Sequence, residues 1–330
     1  MAFMKIKPTD SLFFGGGKPF NAGSDSWTDN SFLPNPSVIW GAMFSVLFRE
    51  GRVTVKDKEK LQIKNIYLYN EEQTTVLVPA PLDIFVDSDG KKYIAKYRDV
   101  DFISNYPLKV ISSIDTDKEV KPLENHFIEI NSLYQHYVKK YSKNLILYNF
   151  DEVFVQDYKI GIKIDKKSKT AEDKHLYRID LTQFKEEWSF LIEYECDIDF
   201  KQSGILKLGG ESKIASYNKI DEPIALQSAN EYKKSMEKEL EDKSYFKVLV
   251  KTPTYFKCGW QPEQEELVCA NVGKYISIGG WDMEYKSHKP MKRYVPAGSV
   301  YVFKKQEKVE FKLEDSESYK GFGSFELLII

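Results

Sequence analysis

Four histidines, His126, His136, His175 and His288, are the side chains able to move protons near neutral pH, so their positions decide the first question asked of this chain. None falls in a metal or nucleophile signature, and no HExxH, Gly-x-Ser-x-Gly or kinase set occurs. Cys196, Cys258 and Cys269 lack Cys-x-x-Cys spacing, which indicates neither a zinc cage nor a disulfide framework. We expect no catalytic residues, no metal and no cofactor.

Binding chemistry has more to work with. The stretch 11–23 gathers Gly15, Gly16, Gly17 and Gly23 beside Phe13, Phe14, Lys18 and Phe20. Glycines let backbone amides approach a phosphate closely, and Lys18 adds charge, so Gly16, Gly17 and Lys18 are candidate phosphate contacts. A plain structural turn would use the same residues. The stretch is not a Walker A loop, because Leu12 stands five positions before Gly17 and Pro19 follows Lys18.

Two further stretches are locally basic. Between 159 and 174 six lysines (Lys159, Lys163, Lys166, Lys167, Lys169, Lys174) face three acids (Asp165, Glu172, Asp173), a balance of +3. Ser168 and Thr170 can donate hydrogen bonds to phosphate oxygens, and a solvated hairpin tip would look alike. From 286 to 293, Lys286, Lys289, Lys292 and Arg293 meet no acid, a balance of +4, and Trp281, Tyr285 and Tyr294 flank them. Cations interleaved with aromatics suit a single-stranded RNA groove, or a basic loop over the edge of an aromatic core.

Elements must hold these stretches. The pattern predicts a strand over 3–7, a helix opening after Pro36 and Ser37 and ended by Gly51, and strands over 63–69, 76–78, 84–86 and 93–97. A helix is expected over 132–141 inside a charged insertion, 98–143, whose role the residues do not reveal. Alternating runs at 158–164 and 176–181 predict a long hairpin, about 158–182. An extended run at 188–198, the glycine signal Leu208-Gly209-Gly210-Glu211, a charged helix over 230–240 and strands over 246–250, 275–278, 300–303 and 325–329 complete the series. With 330 residues, 42% hydrophobic and 14% aromatic content, the expectation is an α+β chain in two domains, 1–184 and 185–330.

The 48 basic residues nearly cancel the 50 acidic ones, so any RNA surface must be local. The first residues, Met1-Ala2-Phe3-Met4-Lys5, are not a signal sequence, and no run approaches the roughly 18 apolar residues of a membrane span, so a cytoplasmic protein without membrane contact is expected.

Taken in order, several segments carry a resemblance. They are Phe14-Gly15-Gly16-Gly17-Lys18-Pro19-Phe20, Pro34-Asn35-Pro36-Ser37-Val38-Ile39-Trp40-Gly41-Ala42, and Lys169-Thr170-Ala171-Glu172 before Leu176-Tyr177. Leu208-Gly209-Gly210-Glu211, Val295-Pro296-Ala297-Gly298-Ser299-Val300-Tyr301 and Gly321-Phe322-Gly323 follow. Spread over the whole chain, they resemble the third-subunit family of the Cmr module, RAMP-superfamily proteins of type III-B CRISPR effectors. The resemblance implies two ferredoxin-like (RRM-like) domains, with a projecting β-hairpin thumb. It also implies a non-catalytic subunit that holds the repeat-derived 5′ tag of the guide RNA and contacts the large polymerase-like subunit and the backbone RAMP subunit. Lys166, Lys167, Lys169 and Thr170 would then lie on the thumb, and Lys18, Asn21 and Ser37 would line a cleft by the first helix. Lys213, beyond the Leu208–Glu211 signal, joins Lys292 and Arg293 as a further candidate RNA contact. The chain departs from the family at Lys18, where arginine is frequent, which costs a bidentate contact but not the charge. The insertion 98–143 matches nothing in the family. A guide-processing endoribonuclease of the same superfamily, using a histidine such as His288, is the alternative; a protein-only scaffold is a third.

Overall fold

Hydrogen-bonded strand pairs dominate the computed structural model, which describes residues 1–15, 33–100, 107–164, 170–211, 213–240, 243–263, 266–282, 287–305 and 317–329. In chain order the main elements are β1 (Ala2–Pro8), α1 (Pro36–Arg49), β2 (Leu61–Asn70), β3 (Thr75–Pro79), β4 (His126–Glu129) and β5 (Leu147–Asn149). Then come β6 (Phe154–Ile164), β7 (Ala171–Phe184), β8 (Trp188–Cys196), β9 (Ser203–Lys207), β10 (Ile214–Ile220) and α2 (Ile224–Leu240). The last are β11 (Tyr245–Val250), β12 (Leu267–Asn271), β13 (Val300–Lys304) and β14 (Phe325–Ile329). No helix among the described residues is long and apolar enough to cross a membrane.

An eight-stranded sheet in the order β5-β4-β3-β2-β8-β1-β10-β9 forms the larger layer, and a four-stranded sheet β12-β13-β11-β14 the smaller. All their pairings are antiparallel. The molecule is thus α+β and mostly strand, as the short alternating runs predict. The ferredoxin-like detail goes further than these elements do: α1 crosses from β1 to β2, but no long helix joins β8 to β10 or β11 to β12 among the described residues.

Period-two alternation explains why the large sheet is covered on both faces. Met4, Ile6, Phe190, Ile192, Ala215 and Tyr217 pack with Ile39, Met43 and Leu47 of α1. Phe3, Tyr67, Tyr69 and Leu191 point the other way and pack with Ala225, Leu226 and Ala229 of α2 and with Leu249, Val300 and Leu328 of the small sheet. α1 opens with Pro36 at its first position and closes in a Schellman turn, Gly51 N–H donating to Phe48 O (3.0 Å) and Arg52 N–H to Leu47 O (3.0 Å). Gly51 supplies the left-handed conformation at φ +69°.

A division at Phe184 would cut between β7 and β8, whose neighbours in the sheet are β1 and β2. The large sheet therefore runs on through Ile220, because a central strand cannot leave without exposing two ladders of backbone groups. The face of the small sheet turned toward the large one also carries buried charge. Lys247 Nζ lies 2.7 Å from Asp83 Oδ2, with both side chains almost fully buried, and the Tyr137 hydroxyl donates to the same carboxylate at 2.7 Å. Burial, and then the Asp83 charge, push the Tyr137 hydroxyl well above its ordinary pKa. Lys251 Nζ meets Glu326 Oε2 at 2.9 Å, and Lys233 of α2 meets Oε1 at 2.8 Å.

The insertion has a defined place. Its hairpin, Lys96–Asp99 with Val110–Ser113, lies against the edge strand β12, where the Ser112 hydroxyl bonds the Asn271 side chain at 2.5 Å and Leu108 packs on the small-sheet core. Covering an edge strand withholds its unpaired backbone groups from other chains. The expected helix over 132–141 is a short turn, Ile130–Ser132, continued by the π-helical Leu133–Tyr137.

Candidate nucleic-acid interface

β1 delivers the chain into the glycine-rich stretch at one end of the large sheet. Beyond Pro8, Thr9 donates to Ile214 O (3.1 Å), and Asp10 turns the backbone by accepting the Ser11 N–H at 2.7 Å. Leu12 then exchanges two backbone hydrogen bonds with Thr182 (2.7 and 2.9 Å), which joins this segment to the root of the β6–β7 hairpin. Phe13 O accepts the Gly210 N–H at 2.9 Å.

That last contact accounts for both glycines of the Leu208–Glu211 signal. A Cβ on Gly209, at φ +79°, would stand 2.6 Å from Phe13 O, and one on Gly210 would stand 2.6 Å from the Phe13 ring. Only bare backbone fits so close. Lys213 Nζ reaches Asp10 Oδ2 at 2.7 Å, a bond that, followed by the Ser11 amide, holds the Asp10 carboxyl below its usual range. Lys159 on the hairpin shaft lies 3.4 Å from Glu211 Oε2. Three segments singled out in the sequence therefore meet: the entry to the glycine-rich loop, the hairpin root, and the turn 208–211.

The predicted residues are distributed as follows. Lys213 belongs to this junction and is ion-paired there. Ser37 is half-buried in the first turn of α1, which has neither a side-chain cap nor an acidic residue. Thr170 is exposed beside β7. Gly16, Gly17, Lys18, Asn21, Lys166, Lys167 and Lys169 lie outside the described residues. Lys292 and Arg293 sit elsewhere, on the strand Lys292–Tyr294, which pairs with Ile276–Ile278. That ribbon is tied to α1 through the loop 318–323: Phe322 packs on Tyr294 (5.1 Å), while a Cβ on Gly321 would stand 2.8 Å from Ile63 and 3.5 Å from Pro36.

Sequence reasoning missed Asp10, Phe13 and Thr182, whose roles are backbone contacts that leave no periodic trace. The paired glycines were the signal that a chain approached there. Among the described residues no group of three or more His, Cys, Asp or Glu could hold a metal ion. His126 bonds the Glu124 carbonyl at 2.6 Å, His136 is half-buried in the π-helical turn, and His288 is exposed on the C-terminal ribbon.

The family described as CRISPR-associated protein (Cas_Cmr3) matches residues 4–330. The CRISPR system CMR subunit Cmr3 of Saccharolobus solfataricus is 26% identical over 240 residues, 69% of this chain and 66% of that protein, just under two thirds of its length. A chain in a cryo-EM structure of the type III-B Cmr-beta bound to cognate target RNA and AMPPnP has the same fold, with a TM-score of 0.53 and 17% identity over 91% of this chain and 86% of that one. A second such structure, bound to cognate target RNA, superposes with a TM-score of 0.53 at 18% identity, over 91% of this chain and 86% of that one.

Proposed function

The chain belongs to the Cmr3 family of CRISPR-associated proteins, and on that premise we propose that it is a non-catalytic, guide-RNA-holding subunit of a type III-B effector complex. The observation that carries this reading is the meeting of loop entry, hairpin root and glycine turn at one end of the large sheet. An RNA strand lying there would touch all three at once. The glycine-rich loop leaves this junction at residue 15 and rejoins the described chain at 33, just before α1. Its amides and Lys18, with Asn21 and Ser37, would face the guide's 5′ tag. The hairpin tip, with Lys166, Lys167, Lys169 and Thr170, would meet the RNA backbone next to the tag.

In this reading the protein supplies position and no chemistry. Phosphates need cations and amides, which the loop and hairpin carry, whereas strand scission needs a poised acid and base. The large polymerase-like subunit and the backbone RAMP subunit are the proposed protein partners. We further propose that the fold divides after Ile220, where the large sheet ends.

The test is reconstitution of the type III-B complex with guide RNA carrying photo-reactive nucleotides in its tag. Crosslinks to peptides around 10–18 and 208–213 are expected, and the isolated chain should leave repeat RNA intact with or without divalent metal. Repeat-RNA scission abolished by His288→Ala would establish the endoribonuclease instead. A complex that assembles with no crosslink to this chain would make it a protein-only scaffold.

A further inference from the structure

The ribbon that carries Lys292 and Arg293 has two unlike faces. Its register sets Tyr294 opposite Ile276, Arg293 opposite Ser277 and Lys292 opposite Ile278. Alternation then turns Lys292 and Tyr294 to one side and Arg293 to the other. On the first side Tyr294 packs against Tyr255 (5.7 Å) and Phe322 (5.1 Å), and Lys292 Nζ lies 4.6 Å over the Tyr255 ring. Ile278 and Phe322 are buried in the same cluster, and Tyr255 packs against it, so Lys292, itself exposed, covers the edge of a core.

On the second side no buried cluster includes Tyr275 or Arg293 among the described residues. The Arg293 guanidinium lies 4.7 Å over the Tyr275 ring, and Tyr275 is 51% exposed. Among the described residues Arg293 has no carboxylate partner. Lys274 and Met291, close to the pair in sequence, are exposed as well. An aromatic ring with a cation over it, open to solvent, has the makings of a base-stacking site. The ring and guanidinium plane can each take a π-face, and a charge without a carboxylate partner among the described residues suits a phosphate.

We propose that Tyr275 and Arg293 form a stacking platform for one base of single-stranded RNA, distinct from the junction at 10–15, 182 and 208–213. The platform rests on the reading that this chain holds guide RNA. Lys292, which the sequence ranks equally with Arg293, is assigned a packing role instead. The platform would give RNA a second hold on the C-terminal half, joined to the first turn of α1 through Phe322 and Gly321.

The experiment uses the complex reconstituted with full-length chain and guide RNA substituted throughout with 4-thiouridine, crosslinked and mapped by peptide mass spectrometry. A crosslink on the peptide holding Tyr275 is expected in addition to those at the junction. Tyr275→Ala or Arg293→Ala should lower it about tenfold, the order of one lost stacking contact. Tyr275→Phe should keep it, which guards against misfolding of the alanine variants. Lys292→Gln should leave it unchanged. Junction crosslinks without any at Tyr275 would overturn the platform and leave the RNA-holding reading standing; no crosslink anywhere would remove both. Release of a protein subunit by Tyr275→Ala, with RNA crosslinks intact, would also overturn it and make the surface a protein contact.

Discussion

Glycines that look like candidates for a ligand serve, at several positions, to let the chain touch itself. Gly298, at φ +89°, would place a Cβ 2.7 Å from Ala80 O, in the same contact where Leu82 N–H donates to Gly298 O at 2.8 Å. Gly298→Ala therefore meets both left-handed strain and a backbone clash. It should lower stability by about 2 kcal/mol, read as a shift in urea midpoint; an unshifted midpoint would mean the contact is slack. Glu326 makes the matching argument for charge. Burial acts to raise its pKa, but Lys251 and Lys233 more than offset it and hold the carboxyl at about 2, below the ordinary 4.5. A depressed folded value means that the stabilisation is complete above the ordinary carboxylate range and fades as pH falls through it toward the folded value. In Glu326→Gln that acid-side loss should shrink, while neutral-pH stability drops by about 3 kcal/mol because Lys251 is left buried beside a neutral group. Parallel pH profiles for the two proteins would show that Glu326 is not the group that titrates.

At the scale of elements, the β6–β7 hairpin behaves as an attachment. Its root is fixed: the Phe154 and Phe184 rings meet at 4.7 Å, tilted by 55°, in the main core, and Thr182 bonds Leu12. Along the shaft, Val155, Tyr158 and Ile160 are exposed, and Arg178 covers the Tyr158 ring at 4.5 Å. Replacing 166–174 by a short Gly-Ser turn removes none of the buried core described here. The trimmed chain should fold with an unchanged melting midpoint and still assemble with its partners. The guide should become nuclease-sensitive at the tag junction and target cleavage positions should blur, as footprinting of intact and trimmed complexes would record. Identical footprints would reduce the hairpin tip to a solvated turn.

At the scale of the whole molecule, the small sheet has a core of its own on one face, built on Phe246, Val248, Val250, Tyr301 and Phe303, while Leu249, Val300 and Leu328 on the other face pack with the large sheet. That second face also carries Lys247 and, just past β11, Lys251: Lys247 depends on Asp83, outside the small sheet, and Lys251 on Glu326 of β14, which Lys233 of α2 also holds. The two sheets should therefore unfold together. Asp83→Ala leaves Lys247 buried without its carboxylate, at a cost of about 3 to 5 kcal/mol. Hydrogen exchange should then quicken in β8 and β11 alike, in one calorimetric transition. Quickening confined to β11 would show two independently melting units.

The sequence by itself determined the α+β class, the long hairpin, α1 with its proline start and glycine stop, and the family resemblance, because these depend on local periodicity, turn chemistry and order along the chain. It did not reveal β9 and β10, whose exposed and buried positions are mixed where the sheet reaches its edge, nor the place of the insertion. Charged residues such as Asp83, Lys247 and Lys251 read as surface in one dimension, since a side chain's burial depends on what packs over it. Only the tertiary structure carried the large sheet past Phe184 and brought Asp10, Phe13, Thr182 and Gly210 together. It also separated Arg293 from Lys292, adjacent residues of like charge that the pleat turns to opposite faces, one over an exposed ring and one over the edge of a core.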